Sequence, residues 1–238
     1  MGLTDNDLYN FSEEEVIEIR KNFPKLSLKS RGVLDGDIDI DAIYNEYRIE
    51  DTFKIGIIVP SKPNEFPCML EIGGRTDNIA KKHNLTDKRD LHYNPKTGLA
   101  CLCVKQEETK RFPPGSKIAD FIENLVIPYL YGLSYFDKEG EWPWEEYSHG
   151  CLGLLEFYAE DSNGLTQKDI EDIAFYFKAD PNWKKYSKQI RNPSAKRACI
   201  CGSKKQFKDC HPKAWQGIIR LNREIEKLGL NSYKIYRR

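Results

Sequence analysis

Residues 33–44 and 47–59 each alternate apolar and polar side chains, and only Asn45-Glu46 separates the two runs. Alternation of period two places every second side chain on one face of a strand. A two-residue spacer between such runs leaves room only for a tight hairpin. The Asp-Ile-Asp-Ile-Asp of 37–41 is the clearest part of the pattern, and it implies one buried face and one solvated acidic face. A third alternating stretch, 66–72, follows the turn-forming Pro60-Ser-Lys-Pro63, so the three read together as an antiparallel meander.

Helices flank this meander. Ser12 followed by three glutamates fits a capping box closed by Glu15, with Val16, Ile19 and Phe23 on one face and Pro24 as the stop. After Gly73-Gly74 the chain is polar and irregular until the turn residues 92–98, which lead into the short apolar run 99–104 and deliver two cysteines beside the sheet. Ile118, Phe121, Ile122 and Leu125 predict a helix from Lys117 to Pro128, packed across the sheet. Further helices are expected over 165–177, with Thr166 as N-cap, and over 214–228, with Gly229 as the stop. Residues 183–198 are basic and polar and read as a linker or solvated arm. The fold class is therefore α+β, with a first domain over 1–182 and a tail over 183–238.

The 39% hydrophobic and 12% aromatic residues suffice for a core in a chain of 238 residues. No apolar run approaches the roughly 20 residues of a membrane-spanning helix. The N-terminus has neither the basic nor the apolar region of a signal peptide, and Asn6 stands where a myristoylation signal carries Ser or Thr. These features predict a cytoplasmic protein without membrane attachment. In that reducing setting the seven cysteines are expected as metal ligands, nucleophiles or small buried groups. Residues 184–238 hold 16 Lys/Arg against 3 Asp/Glu, leaving 21 basic and 34 acidic residues before them, so an acidic body carries a basic tail. Lysines and arginines can bind phosphates, but aromatics for stacking are sparse in that tail, which argues against nucleic acid as the partner. An acidic protein surface is an equal alternative.

Cys199, Cys201, Cys210 and His211 have the spacing Cys-x-Cys-x8-Cys-His. Four such donors can occupy the corners of a zinc tetrahedron from one short excursion of chain. Gly202 permits a tight turn after the first pair, and Lys204, Lys205 and Lys208 offset the charge of three thiolates. Residues 199–211 resemble the SEC-C motif, a small zinc-binding tail module. With all four positions filled by protein, the expected Zn2+ is structural, since no place is left for substrate.

A second constellation joins His92, Asn94, Gly98, Cys101 and Leu102. A cysteine on a loop leading off a sheet, with an amide side chain seven residues upstream, suits acyl transfer: the thiolate attacks a carbonyl and the amide N–H stabilises the oxyanion. Cys103 is the competing nucleophile, because residues 101 and 103 of an extended segment share a face. Both could instead be buried strand residues, and a metal site of His92, Cys101 and Cys103 lacks a fourth ligand. His149, in Ser148-His149-Gly150, could orient or accept a proton, but a lone histidine before glycine is more often a structural residue. Cys68 and Cys151 are expected in the core.

The frame His-x-Asn, glycine, then Cys-Leu is similar to that of ubiquitin-conjugating enzymes, with Tyr93 where that family has proline. The element order over residues 10–180 matches as well: an N-terminal helix, a four-stranded meander, a cysteine loop and later helices. The resemblance implies that Cys101 holds a thioester, Asn94 orients or stabilises the oxyanion, and His92 braces the loop through backbone hydrogen bonds. A conjugating-type domain fused to a zinc tail, with no activating or peptidase domain in the chain, looks like the stand-alone enzymes of short cyclic-oligonucleotide-based anti-phage signalling (CBASS) operons. The implied partner is a cGAS-like nucleotidyltransferase whose C-terminal glycine is the acyl donor, primed by transfer of the acyl group to a lysine or another nucleophile. Two other classes are a catalytically inert scaffold of conjugating fold and a nucleic-acid-binding accessory protein that uses the basic tail.

Overall fold

The computed structural model describes residues 7–62, 65–160 and 164–237. The N-terminal residues weighed above for export and lipidation, and Pro63 of the expected turn, lie outside the described residues. The chain divides into two compact units, one up to Glu145 and one from Glu146.

In the first unit, helix α1 (Glu13–Asn22) starts at the expected cap. The Glu15 N–H donates to Ser12 Oγ at 3.2 Å, and the Ser12 N–H donates to Glu15 Oε2 at 2.9 Å. Four antiparallel strands follow in sequence order: β1 (Leu26–Ser30), β2 (Val33–Tyr44), β3 (Tyr47–Ile58) and β4 (Cys68–Glu71). Strand β1 goes beyond the three alternating stretches. It buries only Leu26 and leaves its other four residues exposed, so it carries almost no periodic signal. The β2–β3 ladder is continuous from Val33 opposite Ile58 to Tyr44 opposite Tyr47. Asn45 and Glu46 both adopt positive φ, +46° and +66°, as a two-residue turn between twisted strands requires.

The pleat sorts the side chains as the alternation predicts. Leu34, Ile38 and Ile40 of β2 meet Ile49, Phe53, Ile55 and Ile57 of β3 in the core. On the other face Asp35, Asp39 and Asp41 pair with Lys29, Lys25 and Arg48. Helix α2 (Arg75–Lys82) is tied to the sheet by Arg75, which donates two hydrogen bonds to the Asp51 carboxylate at 3.0 and 2.9 Å. The guanidinium helps keep that carboxyl below its ordinary range against the opposing effect of burial. A short helix, α3 (Glu108–Arg111), leads on from the cysteine loop.

The helix predicted to end at Pro128 continues past it. Helix α4 (Ile118–Phe121) runs through a π turn over Ile122–Val126 into α5 (Ile127–Glu139). Proline lacks an N–H and crowds the carbonyl one turn back. Here it sits in the first turn of α5, directly after the widened π turn, where the ladder is already reset. Tyr129, Leu130, Leu133 and Phe136 of α5 then close the core over the sheet.

The second unit is helical: α6 (Cys151–Glu160), α7 (Gln167–Ala179), α8 (Trp183–Arg191), α9 (Phe207–Cys210), α10 (Pro212–Lys227) and α11 (Ser232–Ile235). Thr166 caps α7 with Asp169 as its reciprocal partner. Helix α8 replaces the expected linker, because Tyr186 and Ile190 point one way and are fully buried while Lys184, Lys185 and Lys188 remain in solvent. One core joins Leu155 of α6, Ile173 and Phe177 of α7, Ile190 of α8, Phe207 of α9, and Ile218 and Leu221 of α10. Residues 146–182, assigned from sequence to the first domain, thus share their core with the tail, and the unit boundary precedes them. Among the described residues no helix is long and apolar enough to cross a membrane.

Candidate functional site

The segment from His92 to Cys101 folds back on itself. The Cys101 N–H donates to the His92 carbonyl at 2.7 Å, the Asn94 N–H to the Leu99 carbonyl at 2.9 Å, and the Gly98 N–H to the Asn94 carbonyl at 2.8 Å. Tyr93 and Ala100 face each other across this small hairpin, and Leu99 bridges to Leu70 of β4. The Ala100 N–H reaches the Met69 carbonyl at 2.9 Å, so the hairpin extends the edge of the sheet. Gly98 has φ +75°, a left-handed conformation that favours glycine.

Alternation along the hairpin turns Ala100 towards the core, and therefore Asn94 and Cys101 towards the opposite, solvent side. The Asn94 Oδ1 accepts from the Lys96 and Thr97 N–H groups at 3.0 and 3.3 Å. Its oxygen is thereby committed to the turn. His92 takes a left-handed conformation, φ +49°, and its ring meets Trp142 edge-on at 4.9 Å. His92 contributes its carbonyl to the hairpin, while its ring serves the packing behind it.

The two cysteines differ in kind. Cys101 is exposed, with its sulfur 3.7 Å from the Cys103 carbonyl oxygen. Cys103 is half-buried, and burial, together with the nearby Glu108 carboxylate, pushes its thiol up to about 12. A thiol held neutral at physiological pH is a poor nucleophile, so burial separates two residues that spacing alone does not. Cys68 is half-buried and Cys151 buried, and burial raises both thiols. His149 is exposed and belongs to the second unit.

In the second unit, Cys199, Cys201, Cys210 and His211 bring one ligand atom each to within 4.8 Å of one another and could hold a metal ion. Tetrahedral zinc with thiolate and imidazole donors requires edges of about 3.5–3.8 Å, as its bond lengths dictate. The Cys201 and Cys210 sulfurs are 3.6 Å apart, and Cys199 Sγ lies 3.2 Å from His211 Nδ1. The first separation falls in that range and the second is shorter; the clustered donor set is compatible with zinc.

The knuckle is shaped locally: the Cys199 N–H donates to the Lys205 carbonyl at 2.8 Å, the Gly202 N–H to the Cys199 carbonyl at 3.2 Å, and Phe207 behind it is fully buried. Ser203, which the spacing argument did not single out, places its N–H 3.5 Å from Cys201 Sγ and its hydroxyl 3.0 Å from Cys210 Sγ. Burial acts to raise the Cys201 thiol, but the Ser203 donors together with hydrogen bonds to Cys199 and Cys210 outweigh it and the net shift is downward. Lys204, Lys205 and Lys208 are exposed around the site. No family model matches this chain, and neither a curated protein nor a solved structure matches it.

Proposed function

We propose that the chain is a ubiquitin-conjugating-like acyl carrier that forms a thioester through Cys101. The observation that carries the reading is an exposed thiol on a hairpin fixed to the sheet edge, with Asn94 exposed on the same hairpin. The Cys101 thiolate attacks the activated carbonyl of a C-terminal glycine, and the donor's leaving group departs with the electron pair of the broken bond. A lysine amine then attacks the thioester carbonyl, forms an amide, loses its proton to solvent and releases the thiolate. The Asn94 amide N–H is the group available to stabilise the oxyanion in both steps. The donor is a cGAS-like nucleotidyltransferase ending in glycine, and the setting is anti-phage signalling. This part rests on the family resemblance.

The metal of the second unit is zinc, held by Cys199, Cys201, Cys210 and His211. With four protein ligands it supplies folding free energy to the basic tail and takes no part in the acyl steps. The test uses the purified chain with a nucleotidyltransferase ending in glycine and its activating system. Intact mass should show a covalent adduct that hydroxylamine cleaves. Cys101→Ala should abolish it and Cys103→Ala should retain it; an adduct that persists in Cys101→Ala moves the role elsewhere.

A further inference from the structure

A single tryptophan from a distant loop holds the base of the Cys101 hairpin. Trp142 follows α5 in the chain, fifty residues after His92. Its indole N–H donates to the Asp90 carbonyl at 3.0 Å, one residue before the buried Leu91 and two before His92. Its ring stands edge-on to His92 at 4.9 Å and tilts against Tyr129 at 6.2 Å and Phe136 at 6.1 Å. Tyr129 in turn donates its hydroxyl to the Leu91 carbonyl at 3.1 Å. The carbonyls of two successive residues, Asp90 and Leu91, are thus fixed by α5 and by the loop after it. The next carbonyl, of His92, accepts the Cys101 N–H.

The seat for this ring is Gly132. A Cβ at that position would come within 2.1 Å of Trp142 Cζ3, so any other residue on that turn of α5 displaces the indole. A glycine inside a helix is unfavourable relative to alanine. Its presence in the middle of α5 is explained by the ring it admits.

We propose that Trp142 is the positioning residue of Cys101: seated on Gly132, it fixes Asp90 and His92 and so sets where the cysteine thiol stands. The consequence for transfer rests on the acyl-carrier reading, whereas the consequence for the hairpin does not. Hydrogen exchange on the full-length chain, resolved at the Cys101 amide, reads the anchoring directly. Trp142→Ala and Gly132→Ala should each raise exchange at Cys101 by about tenfold or more, with the β2 and β3 amides unchanged. Trp142→Phe keeps the ring contact without the N–H and should restore protection to within about threefold of the native chain. In thioester formation with the glycine-ended donor, Trp142→Ala and Gly132→Ala should lower kcat about tenfold at unchanged KM, since misplacement of a reacting atom acts on the chemical step. Native exchange at Cys101 in both variants overturns the proposal, as does exchange that rises equally through β2 and β3. A native kcat in Trp142→Ala overturns it too. If the native chain forms no thioester, the acyl-carrier reading fails, and exchange alone decides the role of Trp142.

Discussion

At the scale of single residues, the main outcome is the separation of Cys101 from Cys103. Spacing put both on one face, and nothing in the sequence shows that α3 and its Glu108 carboxylate come to lie beside the second thiol. Iodoacetamide followed by peptide mapping at pH 8 should label Cys101 rapidly and leave Cys103 almost unreacted, because a thiol of pKa about 12 is ionised to only about one part in ten thousand there. The same thiol makes stability fall at high pH. Cys103 keeps its proton in the folded chain up to about 12, while the ordinary value for the unfolded thiol is 9.0, so between these limits the folded state binds more protons. Its contribution is full below pH 9.0 and lost as pH rises towards 12. Denaturant midpoints measured across that window should therefore fall, and less steeply in Cys103→Ala.

At the scale of elements, what could be read from sequence follows how much of each element is amphipathic. The capping box of α1 and the closed end of the β2–β3 hairpin stand as the residues predict, because Ser12, Glu15 and Asn45-Glu46 act through contacts within a few residues of themselves. Ser12→Ala should lower stability by about 1 kcal/mol in chemical denaturation. Helix α8 was hidden because lysines fill its solvent face, leaving only Trp183, Tyr186 and Ile190 as the apolar signal. Ile190 is fully buried, so Ile190→Ala should cost about 2–5 kcal/mol in unfolding of the second unit; a solvated arm would show no loss. Pro128 misled for a related reason. A proline stops an ideal helix, but the π turn before it is a property of the packed chain.

At the scale of the whole molecule, the cluster of Cys199, Cys201, Cys210 and His211 and the turn before Cys101 were legible because each lies within a short stretch of sequence. The unit boundary was not, since it depends on α6 and α7 sharing a core with Phe207 and Ile218. A chain ending at residue 182 should retain α6 and α7 without that core and bind a hydrophobic dye strongly, whereas one ending at residue 145 should not. Chelation should unfold the second unit and leave hydrogen exchange in the first unit unchanged, because the four ligands all belong to the second. The central claim concerns the first unit, and fragment mass spectrometry of the native chain after reaction with its acyl donor tests it most directly. The account expects one glycine-linked thioester on the peptide carrying Cys101, released by hydroxylamine and absent in Cys101→Ala; a donor that binds with no covalent species on that peptide would contradict it.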